Sequence, residues 1–491
     1  MQTPPPGSRR PAYHFTPARN WLNDPNGLVH HDGEYHLFFQ YNPDGESWGN
    51  MSWGHAVSPD LVRWDELPLA ISHDAVESVF SGSAVLDRAN TSGLGTADAP
   101  AMVAIYTSAY LADGRQAQSL AFSTDRGRTW TKYADNPVLD IGSTDFRDPK
   151  VQWFEPTRSW LMAVARSTEH RIAFYSSPNL KDWALLSEFG PRGASGGVWE
   201  CPDLFALRVD DDGPLRWVLV VSIEAGGVAG GSATQYFLGD FDGTSFVADD
   251  ESSMTTPRWL DHGKDCYAAV SWEDDPAGRH LIGWMSNWQY ARSVPTEPWR
   301  GAMTTPRRVS LRTVGDEVHL VQQPVDALAG LAGPAVGARV ALDPVQVTGA
   351  GAAPASPLPR ATAYALEAVI DPGDAERVGF LVHVGDGEAT RIGYDTARAS
   401  MFVDRTRSGN VAFSADFAGV QHAPLGLHRG RIRLQILVDR TSVEVFGGIG
   451  EVVITDQVFP GPTSDGLEMF SEGGTATFES VTVRTLAPHP G

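Results

Sequence analysis

The chain has 491 residues, a formal net charge of −22, 42% hydrophobic and only 20% charged residues. That length accommodates two or three domains with cores of their own, and the negative balance argues against nucleic acid and anionic membranes, whose phosphates would be repelled at long range. Two cysteines, Cys201 and Cys266, make no disulfide framework and read as small buried side chains, and nothing approaches the roughly 18 consecutive apolar residues of a membrane span.

Residues 1–10 are Pro-rich and lack the apolar core of a signal peptide. Beyond them, aromatic and β-branched runs alternate with Gly, Pro, Asn and Asp clusters without a sustained helical period, so the chain reads as all-β. The first acidic motif is WLNDPNG at 21–27, around Asp24. SPDLVRW (58–64), STDRGRTW (123–130) and SPNLKDW (177–183) then repeat one pattern, with GDFDGTSF (239–246) as a looser fourth copy. Each follows a β-rich run, turns through Asp or Asn and ends on an aromatic. A recurrence of about fifty to seventy residues suits a four-stranded propeller blade, and four copies with room at both ends predict about five blades. Ordinary surface turns are the competing account, but agreement in both sequence and spacing is hard to obtain by chance.

FRDP (146–149) and WECPDLF (199–205) are the second and third acidic motifs, around Asp148 and Glu200. After Pro324, residues 327–360 turn rich in Ala, Gly and Pro and read as a linker or packed arm. Alternating strands resume at Ala361, as in RIRLQILVDRTSVEVFGG (431–448), and predict a β-sandwich over 361–491 behind a catalytic propeller over 1–326.

Three carboxylates among aromatics and prolines point to glycosidic bond cleavage. Retaining cleavage needs one carboxylate to attack the anomeric carbon and a second group to protonate the leaving oxygen. Asp24, in what reads as a tight turn walled by Trp21, fits the nucleophile. Glu200, between Trp199 and Cys201-Pro202, fits an acid whose proton is retained by a dry setting. Asp148 follows Arg147, and an arginine within reach keeps it ionised, a hydrogen-bond acceptor for ring hydroxyls. Taken alone, NDPNG is a turn and RDP a surface ion pair; the set on a chain with blade-like repeats reads otherwise.

With these motifs in order, and with GNMSWGHA (49–56), FSGSAV (80–85) and GWMSNWQYARSVPTEPWRGAMTTPR (283–307), the chain resembles glycoside hydrolase family 32, in its fructan-degrading branch. The resemblance runs from His14 to beyond Val445. It implies a five-bladed propeller followed by a β-sandwich, with Asp24 as nucleophile, Asp148 as transition-state stabiliser and Glu200 as acid/base. It also implies fructose-binding roles for Asn23, Gln40, Trp48, Ser81, Arg147 and Trp288. Leu22 stands where many members have Met, an exchange of one apolar side chain for another.

The implied substrate is a fructan, most of all levan, and the implied place of action is outside the cell, the leader having been removed. If water breaks the fructosyl-enzyme ester, the chain is an exo-hydrolase of levan or inulin. If a second fructosyl unit lies on the enzyme side of the cut, its hydroxyl can reach an effective concentration on the order of 10⁵ M and close a difructose dianhydride. Intramolecular transfer is the narrowly preferred expectation, with hydrolysis nearly level. A fructan-binding propeller without catalysis is the alternative of another class; a sialidase, suggested by the Asp-box look of STDRGRTW, lacks an assignable arginine set and tyrosine nucleophile. No cofactor or metal is expected: His30, His31 and His36 show no zinc-site spacing, and the acids at 210–212 and 249–251 read as exposed loop charge rather than a calcium site.

Overall fold

Runs such as AMVAIYTSAY (Ala101–Tyr110) and LRWVLVVSIE (Leu215–Glu224) are apolar without alternation, and in both the middle of the strand is buried on both faces. A strand covered on both sides belongs inside a stack of sheets, which is what a propeller provides. The computed structural model describes residues 9–249, 256–331, 339–348, 351–352 and 358–487; most of the Pro-rich terminus, Asp250 and Glu251 of one acidic cluster, and parts of the 327–360 stretch lie outside them.

Five sheets, each with four antiparallel strands taken in chain order, follow one another. Their first strands are Asn20–His31, Glu77–Asp87, Phe146–Phe154, Val198–Arg208 and Tyr267–Ser271, and these contact each other in a closed ring around the central channel. The ring is latched where Trp299–Arg300 pairs in parallel with Asn20 and Trp21, and where the His30 amide donates to the Glu273 carbonyl at 2.9 Å. The four sequence repeats occupy one structural position, the turn between the third and fourth strands of blades one to four. In each, one side chain caps the turn by accepting successive backbone N–H groups: Asp60 from Val62 and Arg63, Asp125 from Arg128 and Thr129, Asn179 from Lys181 and Asp182, Asp242 from Thr244 and Ser245.

Two further sheets form the C-terminal sandwich, built around Tyr364–Asp371 with Ile432–Asp439 on one side and Arg377–Val384 with Thr390–Asp395 on the other. The stretch expected as a linker is in part sheet: Arg339–Leu342 and Val345–Thr348 both pair with Thr475–Thr485. Their Ala, Gly and Pro surroundings hide two four-residue strands whose signal is little more than spaced valines.

Propeller and sandwich meet through buried charge. Arg307, on the fifth blade and 0% exposed, donates to Asp261 (3.0 Å) and Gln322 (3.0 Å) of the propeller and to Glu444 (2.7 Å) and Thr455 (2.6 Å) of the sandwich. Beside it His14 bridges Asp439 and Glu444 at 2.8 Å each. Breaking such a pair strands charges that water cannot reach. Arg307→Ala is therefore expected to destabilise the protein by about 3–5 kcal/mol, read as a lowered midpoint of denaturant unfolding; an unchanged midpoint contradicts this account of the interface.

Candidate active site

The site is built from one irregularity repeated around the ring. In every blade the first strand spends three residue steps where its neighbour spends two: Leu22 to Pro25, Val79 to Gly82, Arg147 to Lys150, Glu200 to Asp203 and Tyr267 to Val270. An extra residue kinks a strand and re-aims its side chains. Asp24 and Asp148 lie within these bulges, Ser81 within a third, and Glu200 and Tyr267 open the remaining two. Asp148, Cys201 and Ala268 hold φ of 65°, 46° and 52°, a left-handed conformation that costs residues with a side chain of order 1–3 kcal/mol each. Gly82 is required in the second blade, since a Cβ there meets the Ile105 carbonyl oxygen at 2.1 Å.

NDPNG is thus a bulged strand and not the tight turn read from its composition. Asn26 secures it by accepting from the Gly82 amide of the next blade at 3.1 Å. The bulges gather the three acids: the Cys201 thiol lies 3.9 Å from Asp24 Oδ2 and 3.6 Å from Asp148 Oδ2, and the Cys201 amide donates to Asp148 Oδ2 at 3.0 Å. Ser81 Oγ donates to Asp24 Oδ2 at 2.8 Å, while the buried Asp24 Oδ1 has no hydrogen-bond partner among the described residues.

Arg147 does not do what its place in the sequence suggests. Its guanidinium turns to Glu200, with Nε and Nη2 at 3.0 and 2.9 Å from Oε1, and Tyr267 donates its hydroxyl to Oε2. Glu200 is therefore a partnered carboxyl, held from two sides. At Asp148, burial, followed by the nearby charge of Glu200, pushes the carboxyl up to about 7 against the opposing pull of Arg147. Burial and Glu200 likewise raise Asp24, opposed by hydrogen bonds from Asn23 and Ser81.

All the residues singled out in the sequence, Asn23, Asp24, Gln40, Trp48, Ser81, Arg147, Asp148, Glu200 and Trp288, line one cleft of about 370 Å³. Asn23 (2% exposed), Gln40 (2%), Ser81 (5%) and Asp148 (6%) make its floor, whereas Trp48 at 41% stands at the rim. Trp21 fixes the floor by donating its Nε1 to Asn23 Oδ1 at 2.7 Å and by stacking on Trp288 at 5.8 Å. Beneath the acids the channel narrows to a space of about 20 Å³ among Pro25, Pro149, Lys150 and Pro202, room for little more than a water. That space is too small for a sugar. Sequence reading missed Phe80, Gln116, Asp145, Glu224 and Arg292, which complete the walls. Phe80 lay inside a motif already quoted, whereas Glu224 ends an unremarkable apolar strand; burial, then Glu200 and Asp24, push its carboxyl up to about 7.

Elsewhere, the histidines and acids weighed for metals find other partners. His36 Nδ1 faces His55 Nε2 at 3.0 Å, Asp210 accepts from Thr313, and Asp211 accepts from Arg312. No helix among the described residues is long and apolar enough to cross a membrane.

The model of the glycosyl hydrolases family 32 N-terminal domain matches residues 14–324, and that of the family 32 C-terminal domain matches 339–485. The chain belongs to glycoside hydrolase family 32. It is an enzyme of that family's glycosidase type, with the family's five-bladed propeller and β-sandwich. Among family 32 relatives it is 47% identical to a levanase of Bacillus subtilis over 487 residues, covering 97% of this chain and 70% of the levanase. It is 41% identical to an extracellular exo-inulinase of Aspergillus awamori over 498 residues, covering 95% of this chain and 92% of that protein. A crystal structure of exo-inulinase from Aspergillus awamori superposes with a TM-score of 0.91 at 39% identity, covering 98% of this chain and 99% of that one.

The raised Asp148 carboxyl makes stability depend on pH. Below its ordinary value of 3.8 both folded and unfolded chains hold the proton; as pH rises toward about 7 the unfolded chain releases a proton that the folded one retains, so stability falls. Asp148→Asn is expected to melt about 2–5 °C above the native protein at pH 8, with the gain shrinking toward pH 5. A difference independent of pH contradicts the assignment.

Proposed function

We propose that the chain is a retaining exo-hydrolase of fructans that releases fructose from chain ends, acting on levan first and inulin second. The narrow inner end carries the reading: the space bordering Asp148 there holds about 20 Å³, too little for a sugar, which supports a single fructosyl unit on the enzyme side of the cut. Intramolecular transfer, narrowly preferred from sequence, requires a second fructosyl unit on that side. Hydrolysis is therefore favoured. The names of the levanase and exo-inulinase relatives support it, and the greater identity to the levanase supports levan.

In this mechanism Asp24 Oδ1, free of other hydrogen bonds, attacks C2 of the terminal fructosyl unit to form an ester. Glu200 gives its proton to the departing oxygen, and Arg147 and Tyr267 hold that carboxyl in place. Once the shortened chain has left, Glu200 takes a proton from water, which opens the ester. Asp148, anchored by the Cys201 amide, accepts from ring hydroxyls as positive charge builds at C2. Asn23, Gln40 and Ser81 receive the sugar at the floor, Trp48 and Trp288 wall it, and Gln116, Asp145, Glu224 and Arg292 meet the leaving chain near the mouth. A polymeric substrate and the extracellular exo-inulinase relative support action outside the cell. A purely binding propeller has no use for a buried carboxylate oxygen without a partner, which disfavours the non-catalytic alternative.

Chromatography of digests of levan and inulin is expected to give fructose as the small product; accumulation of difructose dianhydride overturns the hydrolytic reading. Glu200→Ala is expected to lose about 10²–10⁴-fold in rate on fructan and much less on a fructoside with a good leaving group, whereas Asp24→Asn loses both. Equal losses for Glu200→Ala on the two substrates contradict its acid role.

A further inference from the structure

On the reading that this cleft is the active site, we propose that the sandwich sets the shape of its rim: Arg405, acting through Tyr290, holds the segment 287–294 so that Trp288 and Arg292 face the sugar. Both flank Tyr290 by two residues and both line the cleft. The segment is tethered at its start within the propeller, where the buried Asn287 amide donates to the Lys264 carbonyl at 2.9 Å and the Trp288 amide donates to Ser232 Oγ at 3.2 Å. Its other tether comes from the sandwich. Arg405 Nη2 donates to the Tyr290 hydroxyl at 2.9 Å, that hydroxyl donates to Asp265 Oδ1 at 2.6 Å, and Arg405 Nη1 closes the triangle on Asp265 Oδ2 at 2.7 Å. Within the sandwich the guanidinium is fixed by the Phe417 carbonyl at 2.8 Å and lies over the Phe417 ring at 4.0 Å. Tyr290 and Val294 complete an apolar cluster with Phe417 and Phe459 of the sandwich.

Adhesion between domains needs no such arrangement. Arg405 is 0% exposed, and well-packed apolar side chains hold an interface as firmly as a desolvated guanidinium. What the triangle adds is direction: Arg405 offers a planar fork in a fixed orientation, so the Tyr290 hydroxyl has one position, and the backbone between the two tethers has little freedom. Trp288 can then stack on Trp21 and pack tilted against Trp284, with ring centroids at 5.8 and 4.8 Å, while lining the cleft. Arg405 and Tyr290 are positioning residues in this account, since they act through Trp288.

Tyr290→Phe keeps the ring and removes only the hydroxyl, so the fold is retained. It is expected to raise KM for levan about tenfold while kcat changes less than about threefold, and the double variant with Trp288→Ala is expected to be no worse than Trp288→Ala alone, because neighbours acting through one contact are not additive. Phe459→Leu, which removes interface packing but leaves the hydroxyl triangle and the ring beneath Arg405, is expected to lower the melting temperature without raising KM. Hydrogen exchange supplies a readout independent of turnover: amides of 287–294 are expected to exchange about tenfold faster in Tyr290→Phe while the rest of the fifth blade is unchanged. Additive kinetic effects, or unaltered exchange with an unaltered KM, overturn the proposal. Undiminished turnover of levan by Glu200→Ala and by Asp24→Asn refutes instead the underlying reading of the cleft as the active site.

Discussion

One extra residue in the first strand of every blade is the constraint on which the site depends. A regular strand sends successive side chains to opposite faces, so five regular strands around a channel present only backbone edges and alternate side chains to its mouth. The bulge breaks that alternation at one level in all five blades. Residues from strands more than two hundred positions apart in sequence thereby reach the same small volume: Asp24, Ser81, Asp148, Glu200 and Tyr267 come from five different blades. The left-handed backbone at Asp148, Cys201 and Ala268 is the local cost, and it is sustained because each bulge is wedged between neighbouring blades that leave it no alternative.

Five carboxylates and two guanidinium groups, those of Arg147 and Arg292, line the cleft and create its electrostatics. Asp24, Asp148, Glu200 and Glu224 repel one another in a partly dry setting, and Arg147 neutralises only part of that charge. Arg147 turns Nε and Nη2 to Glu200 and Nη1 to Gln116 and Asp145, while burial and the nearby charge of Glu200 push Asp148 and Glu224 up to about 7. Under the proposed mechanism a substrate hydroxyl on Asp148 relieves part of that repulsion, which makes the empty site more strained than the filled one.

Much of this was legible in the sequence because it was written in short motifs. The repeats were readable because each turn needs an Asp or Asn oxygen to cap backbone N–H groups, a requirement met within five residues. The fifth blade has no such copy, since its last two strands are joined through a turn at Gly315. The acids were readable because a bulge flanked by Pro and aromatics leaves a compositional mark. What failed to show was anything fixed by a distant partner. Arg147 was assigned to its neighbour Asp148, but the bulge swings it across to the fourth blade. Glu224 belongs to no motif, Arg292 sat unremarked inside the quoted stretch 283–307, and the strands at 339–348 exist because Thr475–Thr485 pairs with them.

The narrow inner end also governs traffic. With about 20 Å³ behind the acids, a sugar has one doorway, shared by the incoming chain end and the departing shortened chain. Fructose leaves by the same route, after the polymer has vacated it. Under the proposed chemistry the enzyme must release its polymer after every bond cleaved, so chain ends in a mixture shorten in parallel and no single chain is run down to completion.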